Sequence, residues 1–197
     1  MKEFWDARYS NTEFVYGVKP NKFFEDNLDK SEQGKLLLPG DGEGRNSVYA
    51  AKLGWNVTAF DYSTSAKGKA LLLAKENKVN IDYFISDAVS FKTGEKFDLI
   101  SIIFFHLTPK LRLEFHRRLK YLLNPGGKII LECFSKEQLE KSSGGPKSID
   151  LLYSKKQLEI DFDYLNILML EEKEIELSEG SFHQGKASVV RMIAENS

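Results

Sequence analysis

The 197-residue chain holds one cysteine, Cys133, three histidines and five prolines. A single cysteine excludes an internal disulfide and any multi-cysteine metal site. Excess charge is also missing: 28 Lys+Arg stand against 29 Asp+Glu, for a formal net charge of −1. That leaves no basic field to hold nucleic acid or an anionic membrane, and neither partner is expected. No apolar run, Ile102–Phe105 among them, is long enough to cross a bilayer. The opening Met1-Lys2-Glu3-Phe4-Trp5-Asp6 has no apolar core of a secretory leader, so a cytoplasmic protein is expected. No repeat or low-complexity segment breaks the chain. No Gly-Lys is followed by Ser or Thr, which excludes a P-loop. None of the eight tyrosines has a lysine four positions on, which argues against a short-chain nicotinamide reductase. Aromatic residues, by contrast, are plentiful: 14 Phe, 8 Tyr and 2 Trp.

From residue 35 the pattern alternates short apolar runs with helical spacing. Strands are expected at Lys35–Pro39, Asn56–Phe60, Ile81–Ile85, Phe97–Phe105 and Lys128–Phe134. The helix over Arg45–Leu53 stops at Gly54, and the next runs over Ser63–Lys78. Thr108-Pro109 supplies an N-cap and a first-turn proline for a third helix, ended by Asn124-Pro125-Gly126-Gly127. Its apolar face carries Leu111, Phe115, Leu119 and Leu122, with His116, Arg117 and Arg118 on the solvated side. Ser154 and Gln157 form a capping-box pattern for a helix through Phe162. Two strands, Asn166–Glu176 and Ala187–Ala194, close the chain around a hairpin loop over Ser178–Lys186. Strict alternation predicts an α/β fold: a doubly wound, Rossmann-like, seven-stranded sheet, mostly parallel, with an antiparallel final strand. Residues 1–30 are expected to form a helical lid segment before a single domain over 31–197.

Three signals carry the chemistry, one after each of the first three strands, where open parallel sheets bind ligands. The first is Gly40-Asp41-Gly42-Glu43-Gly44-Arg45-Asn46. Its G-x-G-x-G spacing lacks the third small residue of the dinucleotide fingerprint, which would fall on Arg45, and this counts against NAD or FAD. The second is Asp61, placed to accept both hydroxyls of a ribose, with Tyr62 beside it. The third is Asp87-Ala88-Val89, a carboxylate for the exocyclic amine of adenine and two apolar residues for its ring.

This ordered set resembles the class I S-adenosylmethionine (SAM)-dependent methyltransferases, over nearly all of the chain from Gly34 on. Asn124-Pro125-Gly126-Gly127-Lys128 is similar to that family's turn before strand five. Within the superfamily the chain resembles the small tellurite-resistance/thiopurine-methyltransferase-like group. Phe4-Trp5-Asp6-Ala7-Arg8-Tyr9, Tyr16-Gly17, Pro20-Asn21, Gly144-Gly145-Pro146-Lys147 and His183-Gln184-Gly185-Lys186 carry that likeness. One departure stands out. Many members carry an acid two residues before the first glycine, where this chain has Leu38, leaving Asp41 or Glu43 as substitutes. The resemblance implies SAM as cofactor, bound by Tyr16, Gly40, Asp41, Gly42, Gly44, Asn46, Asp61, Tyr62, Asp87, Ala88 and Val89. It also implies that the N-terminal segment folds over the cofactor, with Tyr16 and Trp5 near the sulfonium, whose charge an aromatic face attracts. Packing of these rings against the sheet is the plainer alternative.

The implied function is methyl transfer to a small molecule, a thiol or a chalcogen oxyanion such as tellurite or selenite. The alternative is a non-catalytic SAM-binding sensor of the same fold. Phe104-Phe105-His106 stands where nucleic-acid methyltransferases often carry Asn/Asp-Pro-Pro-aromatic, which disfavours that acceptor. Candidate catalytic residues are His106 after strand four, His183 in the last loop and Arg191 in the final strand. Cys133, inside strand five, reads as a core thiol. No metal site is expected, and oligomeric state is not legible.

Overall fold

The computed structural model describes residues 2–197; Met1, the first residue of the expected lid, lies outside them. The chain builds one seven-stranded sheet in the order β3-β2-β1-β4-β5-β7-β6. The strands are β1 Lys35–Pro39, β2 Asn56–Asp61, β3 Asp82–Ile85, β4 Phe97–Ile103, β5 Leu123–Phe134, β6 Asn166–Glu179 and β7 His183–Glu195. The first five pair in parallel, and β7 runs antiparallel to both β5 and β6. The doubly wound topology expected from β/α alternation is therefore present, with the antiparallel strand slotted inside the sheet. The helices are α1 Lys2–Tyr9, α2 Lys22–Leu28, α3 Arg45–Lys52, α4 Thr64–Glu76, α5 Pro109–Leu119 and α6 Lys155–Asp161.

Strand β1 shows how the sequence makes two layers. Its side chains alternate in direction. Leu37 joins the cluster under α5 and α6, with Phe115, Leu119, Leu158 and Phe162. Leu36 and Leu38 join the opposite cluster with Phe23, Phe24 and Leu28 of α2 and Ala50 of α3. Cys133 is fully buried in the first of these.

The local signals act as caps. Ser63 accepts the Ala66 N–H at 3.1 Å, and Ser154 and Gln157 form the capping box. Four expectations change. Strand four ends at Ile103, because Phe104 turns into the left-handed region at φ +49°. Asn124–Gly127 does not simply end a helix. A 3-10 turn over Lys120–Leu122 intervenes, and the four residues form an irregularity within β5. The last hairpin is tighter than expected, so His183 begins β7 rather than sitting in a loop.

The fourth change concerns His116, which lies on no solvated face. It is fully buried and faces Asp161 (Nδ1 to Oδ2 2.8 Å), which also accepts Nε of Arg112 at 2.6 Å. Burial lowers the His116 pKa below the usual histidine range, although Asp161 opposes this. Among the described residues, no helix is long and apolar enough to cross a membrane.

Candidate active site

The turns that follow β1, β2, β3 and β4 converge on one cavity of about 670 Å³ at the carboxyl edge of the sheet. That volume suits a small-molecule ligand. Its floor is the glycine loop. Gly40 and Gly42 both have positive φ, +62° and +61°. A side chain at either would also collide: a Cβ on Gly40 would stand 2.2 Å from Phe105 Cδ2, and one on Gly42 2.9 Å from the Tyr9 hydroxyl. The loop is thus a cradle that only bare backbone leaves open. It feeds into the N-terminus of α3, where free amides favour a carboxylate. Tyr83 locks the loop from below, donating to the Gly42 carbonyl at 2.6 Å.

The acids take different positions. Asp61 lines the cavity at the end of β2 and accepts the Gly42 and Ser63 amides at 3.3 and 2.9 Å. Burial pushes its pKa up to about 6 despite these bonds. Asp87 lines the cavity too. Its Oδ1 accepts the Val89 and Ser90 amides at 2.8 and 2.7 Å, and its Oδ2 stays uncommitted. The Ser90 amide, first among several contacts, holds the Asp87 pKa below the usual carboxylate range. Arg118 braces that turn from α5 by donating to the Ala88 and Val89 carbonyls at 2.6 and 3.0 Å. Ala88 is buried, Val89 is exposed, and both line the cavity with Tyr62.

Asp41 borders the cavity, yet both carboxylate oxygens are enclosed with no hydrogen bond of normal geometry, and burial raises its pKa to about 7 although nearby Ser47 and Arg45 oppose this. Glu43 is already spent within the protein. It accepts the Val15 amide at 2.8 Å and pairs with Lys69 at 2.6 Å. Asn46 also lines the cavity, but its Oδ1 accepts the Asn21 amide at 2.9 Å and so anchors the start of α2. Gly44 does not line the cavity. It precedes α3 and packs on Ala70, whose Cβ would lie 2.6 Å from a Cβ placed there.

The N-terminal segment closes one side. Asp6 accepts the Ser63 hydroxyl at 2.6 Å, and Trp5 stacks on Tyr9 with centroids 5.4 Å apart. Tyr16 lines the cavity, its ring 4.5 Å from that of His183. The tip of the β6–β7 hairpin grips this segment, since Ser181 N–H donates to the Val15 carbonyl at 3.2 Å.

Of the catalytic candidates, two reach the cavity. His106 Nδ1 donates to the Leu151 carbonyl at 2.6 Å, leaving Nε2 to accept a long 3.4 Å contact from Phe134 N–H. Burial, with a smaller contribution from His183, lowers its pKa to about 4. His183 is buried against Tyr16, Phe104 and Phe134, and its Nδ1 donates to Glu179 Oε2 at 3.2 Å. Burial lowers the His183 pKa, although Glu179 opposes it. Arg191 lies elsewhere: its Nε donates to buried Glu132 at 2.5 Å and its guanidinium covers the Phe23 ring at 4.6 Å. Its strand register sets it opposite Glu132, away from the cavity.

Sequence reading passed over Glu179. Its carboxylate joins three elements: His183, Arg45 at 2.8 Å and Asn21 at 3.1 Å. Nothing in the local spacing marks it, because its partners come from α2, α3 and β7. Arg8 was also missed as a wall of the cavity.

Residues 37–127 match the methyltransferase domain family. No curated protein sequence matches the chain. Among solved structures, TehB from Haemophilus influenzae is similar at 19% identity and a TM-score of 0.75, covering 100% of this chain and 67% of TehB. The N-methyltransferase NodS from Bradyrhizobium japonicum, in complex with S-adenosyl-L-homocysteine (SAH), is similar at 16% identity and a TM-score of 0.73, over 99% of this chain and 97% of NodS. Magnesium protoporphyrin IX methyltransferase from Synechocystis PCC 6803 with bound SAH gives 16% identity and a TM-score of 0.69, over 99% and 93%. At these identities the likeness is one of fold. The family match lies over the glycine loop and the strand ends that line the cavity, and the fold agrees with it.

Proposed function

We propose that the chain transfers a methyl group from SAM to a small acceptor, a thiol or a chalcogen oxyanion. We further propose that it belongs with the tellurite-resistance/thiopurine-methyltransferase-like group. One observation carries the reading: a bare-backbone glycine loop, Asp61 and Asp87 converge, each at a successive strand end, on one cavity of about 670 Å³.

The residues present fit the cofactor. The amides at the start of α3 suit its carboxylate, Asp61 its ribose hydroxyls, and Asp87 Oδ2 its adenine amine. When bound, SAM supplies an activated methyl group on a sulfonium. The protein's own part is to align the acceptor and keep water out. The aromatic wall of Phe104, Phe105 and Phe134 excludes water beside it. Phe104 holds its left-handed conformation at a cost of about 1–2 kcal/mol. In return its ring stacks on Phe134 at 4.5 Å and meets His183 at 4.8 Å.

His183 is the better placed proton acceptor. Glu179 fixes its proton on Nδ1, so Nε2 carries the lone pair, as in a carboxylate-oriented histidine base. His106 has its Nε2 partly engaged by Phe134 N–H. A thiolate or oxyanion arriving deprotonated needs neither. The available space favours a small acceptor.

Radiolabelled methyl transfer from SAM to a panel of thiols, tellurite, selenite and small acids tests the reading. Product with at least one thiol or oxyanion is expected. SAM binding without transfer to any acceptor would refute it in favour of a sensor.

A further inference from the structure

The charges around the cavity are unevenly committed. On the cofactor side, Asp61 and Asp87 are tied to backbone amides, and the Asp41 carboxylate is enclosed. Glu43 and Arg45 are matched by Lys69 and Glu179. The cavity is otherwise walled by apolar and aromatic residues such as Phe104, Phe134, Leu111 and Leu151. Two further cations line it without a carboxylate partner among the described residues: Arg8 and, at the exposed rim, Lys147.

Arg8 has no carboxylate partner among the described residues. Its one hydrogen bond runs from Nη1 to the Tyr16 hydroxyl at 3.2 Å. Three rings hold the guanidinium in place, with centroids 4.5 Å away for Phe4, 5.2 Å for Trp5 and 4.7 Å for Phe182. Such stacking orients the fork while leaving most of its N–H donors unspent. Lys147 Nζ donates only to the Lys141 carbonyl, at 2.8 Å. A fixed cation without a counter-ion beside apolar walls attracts an anion, and a planar guanidinium suits one with two oxygens. His183 already feels this field, since Arg8 adds to the depression of its pKa that burial begins.

Resting on the methyltransferase reading, we propose that the acceptor is a small anion held by Arg8, with Lys147 adding charge at the rim. The lid helix α1 then does more than cover the cofactor. It carries the residue that selects acceptors by charge, and loss of the lid removes acceptor recognition as well as shelter.

The test is calorimetric titration of benzoate, its neutral isostere benzamide, and selenite into the protein, both free and saturated with SAH. Wild type is expected to bind benzoate or selenite at least about tenfold more tightly than benzamide. Arg8→Gln is expected to lose that preference, Arg8→Lys to regain part of it, and both to keep SAH affinity and a cooperative unfolding transition. Equal affinity for benzoate and benzamide, an unchanged preference in Arg8→Gln, or no binding of either anion at 10 mM would overturn the proposal. Failure of SAH to bind wild type would instead sink the methyltransferase reading, while titrations of the free protein still report on Arg8.

Discussion

Gly40→Ala tests how tightly loop and acceptor wall are built together. Gly40 has φ +62°, a region that costs an alanine about 1–2 kcal/mol. The new Cβ would also lie 2.2 Å from Cδ2 and 2.7 Å from Cε2 of Phe105. Phe105 cannot swing freely, because it packs edge-on against Phe60 and Phe115 at 6.2 and 5.7 Å. Overpacking of this kind costs a further ~1–3 kcal/mol. The sum is a destabilisation of about 2–5 kcal/mol. Urea unfolding of wild type, Gly40→Ala, Phe105→Leu and the double variant separates the two parts. Trimming Phe105 should return the packing part, giving a coupling of about 1–3 kcal/mol, while the conformational part persists. A Gly40→Ala protein within ~0.5 kcal/mol of wild type, or strictly additive variants, would refute the reasoning.

Three further outcomes are expected. The His106 pKa of about 4 lies below its unfolded value, so the unfolded chain takes up a proton first as pH falls. This histidine's share of the stability is complete above about pH 6.5 and falls by about 2 kcal/mol between pH 7 and pH 5, while the raised carboxyls of Asp41 and Asp61 act in the opposite direction over the same range. The difference in urea stability between wild type and His106→Phe across that range isolates the histidine's share. Glu179→Gln removes the group that opposes the lowering of the His183 pKa. With an acceptor that must lose a proton, the rising limb of kcat against pH moves to lower pH and kcat falls at least about tenfold, as stopped-time assays would show. Asp161→Ala strands Arg112 without its counter-ion and should cost about 3–5 kcal/mol in thermal or urea unfolding, with SAH affinity unchanged.

The sheet was readable because its information is local. Leu36–Leu38 spell a buried strand, Ser63 and Ser154 cap, and glycines mark the loop. Gly40, Gly42, Asp61 and Asp87 were found for the same reason: each sits at a strand end, where position alone brings it to the cavity edge. Long-range pairing was not readable. Arg191 looked free until its register set it against Glu132, and His116 looked solvated until α6 brought Asp161 over it. Glu179 and Arg8 gain their significance only from residues far away in sequence, such as Asn21, Arg45 and Phe182. Glu43 and Asn46 fell in the right motif, but their side chains anchor the N-terminal segment.

Calorimetric titration of SAH into wild type and Asp61→Ala tests the central claim most directly. Saturable one-to-one binding is predicted for wild type, weakened about 10- to 100-fold when the carboxylate proposed to hold the ribose is removed. No binding at millimolar SAH, or an Asp61→Ala protein that binds as wild type does, would contradict the account.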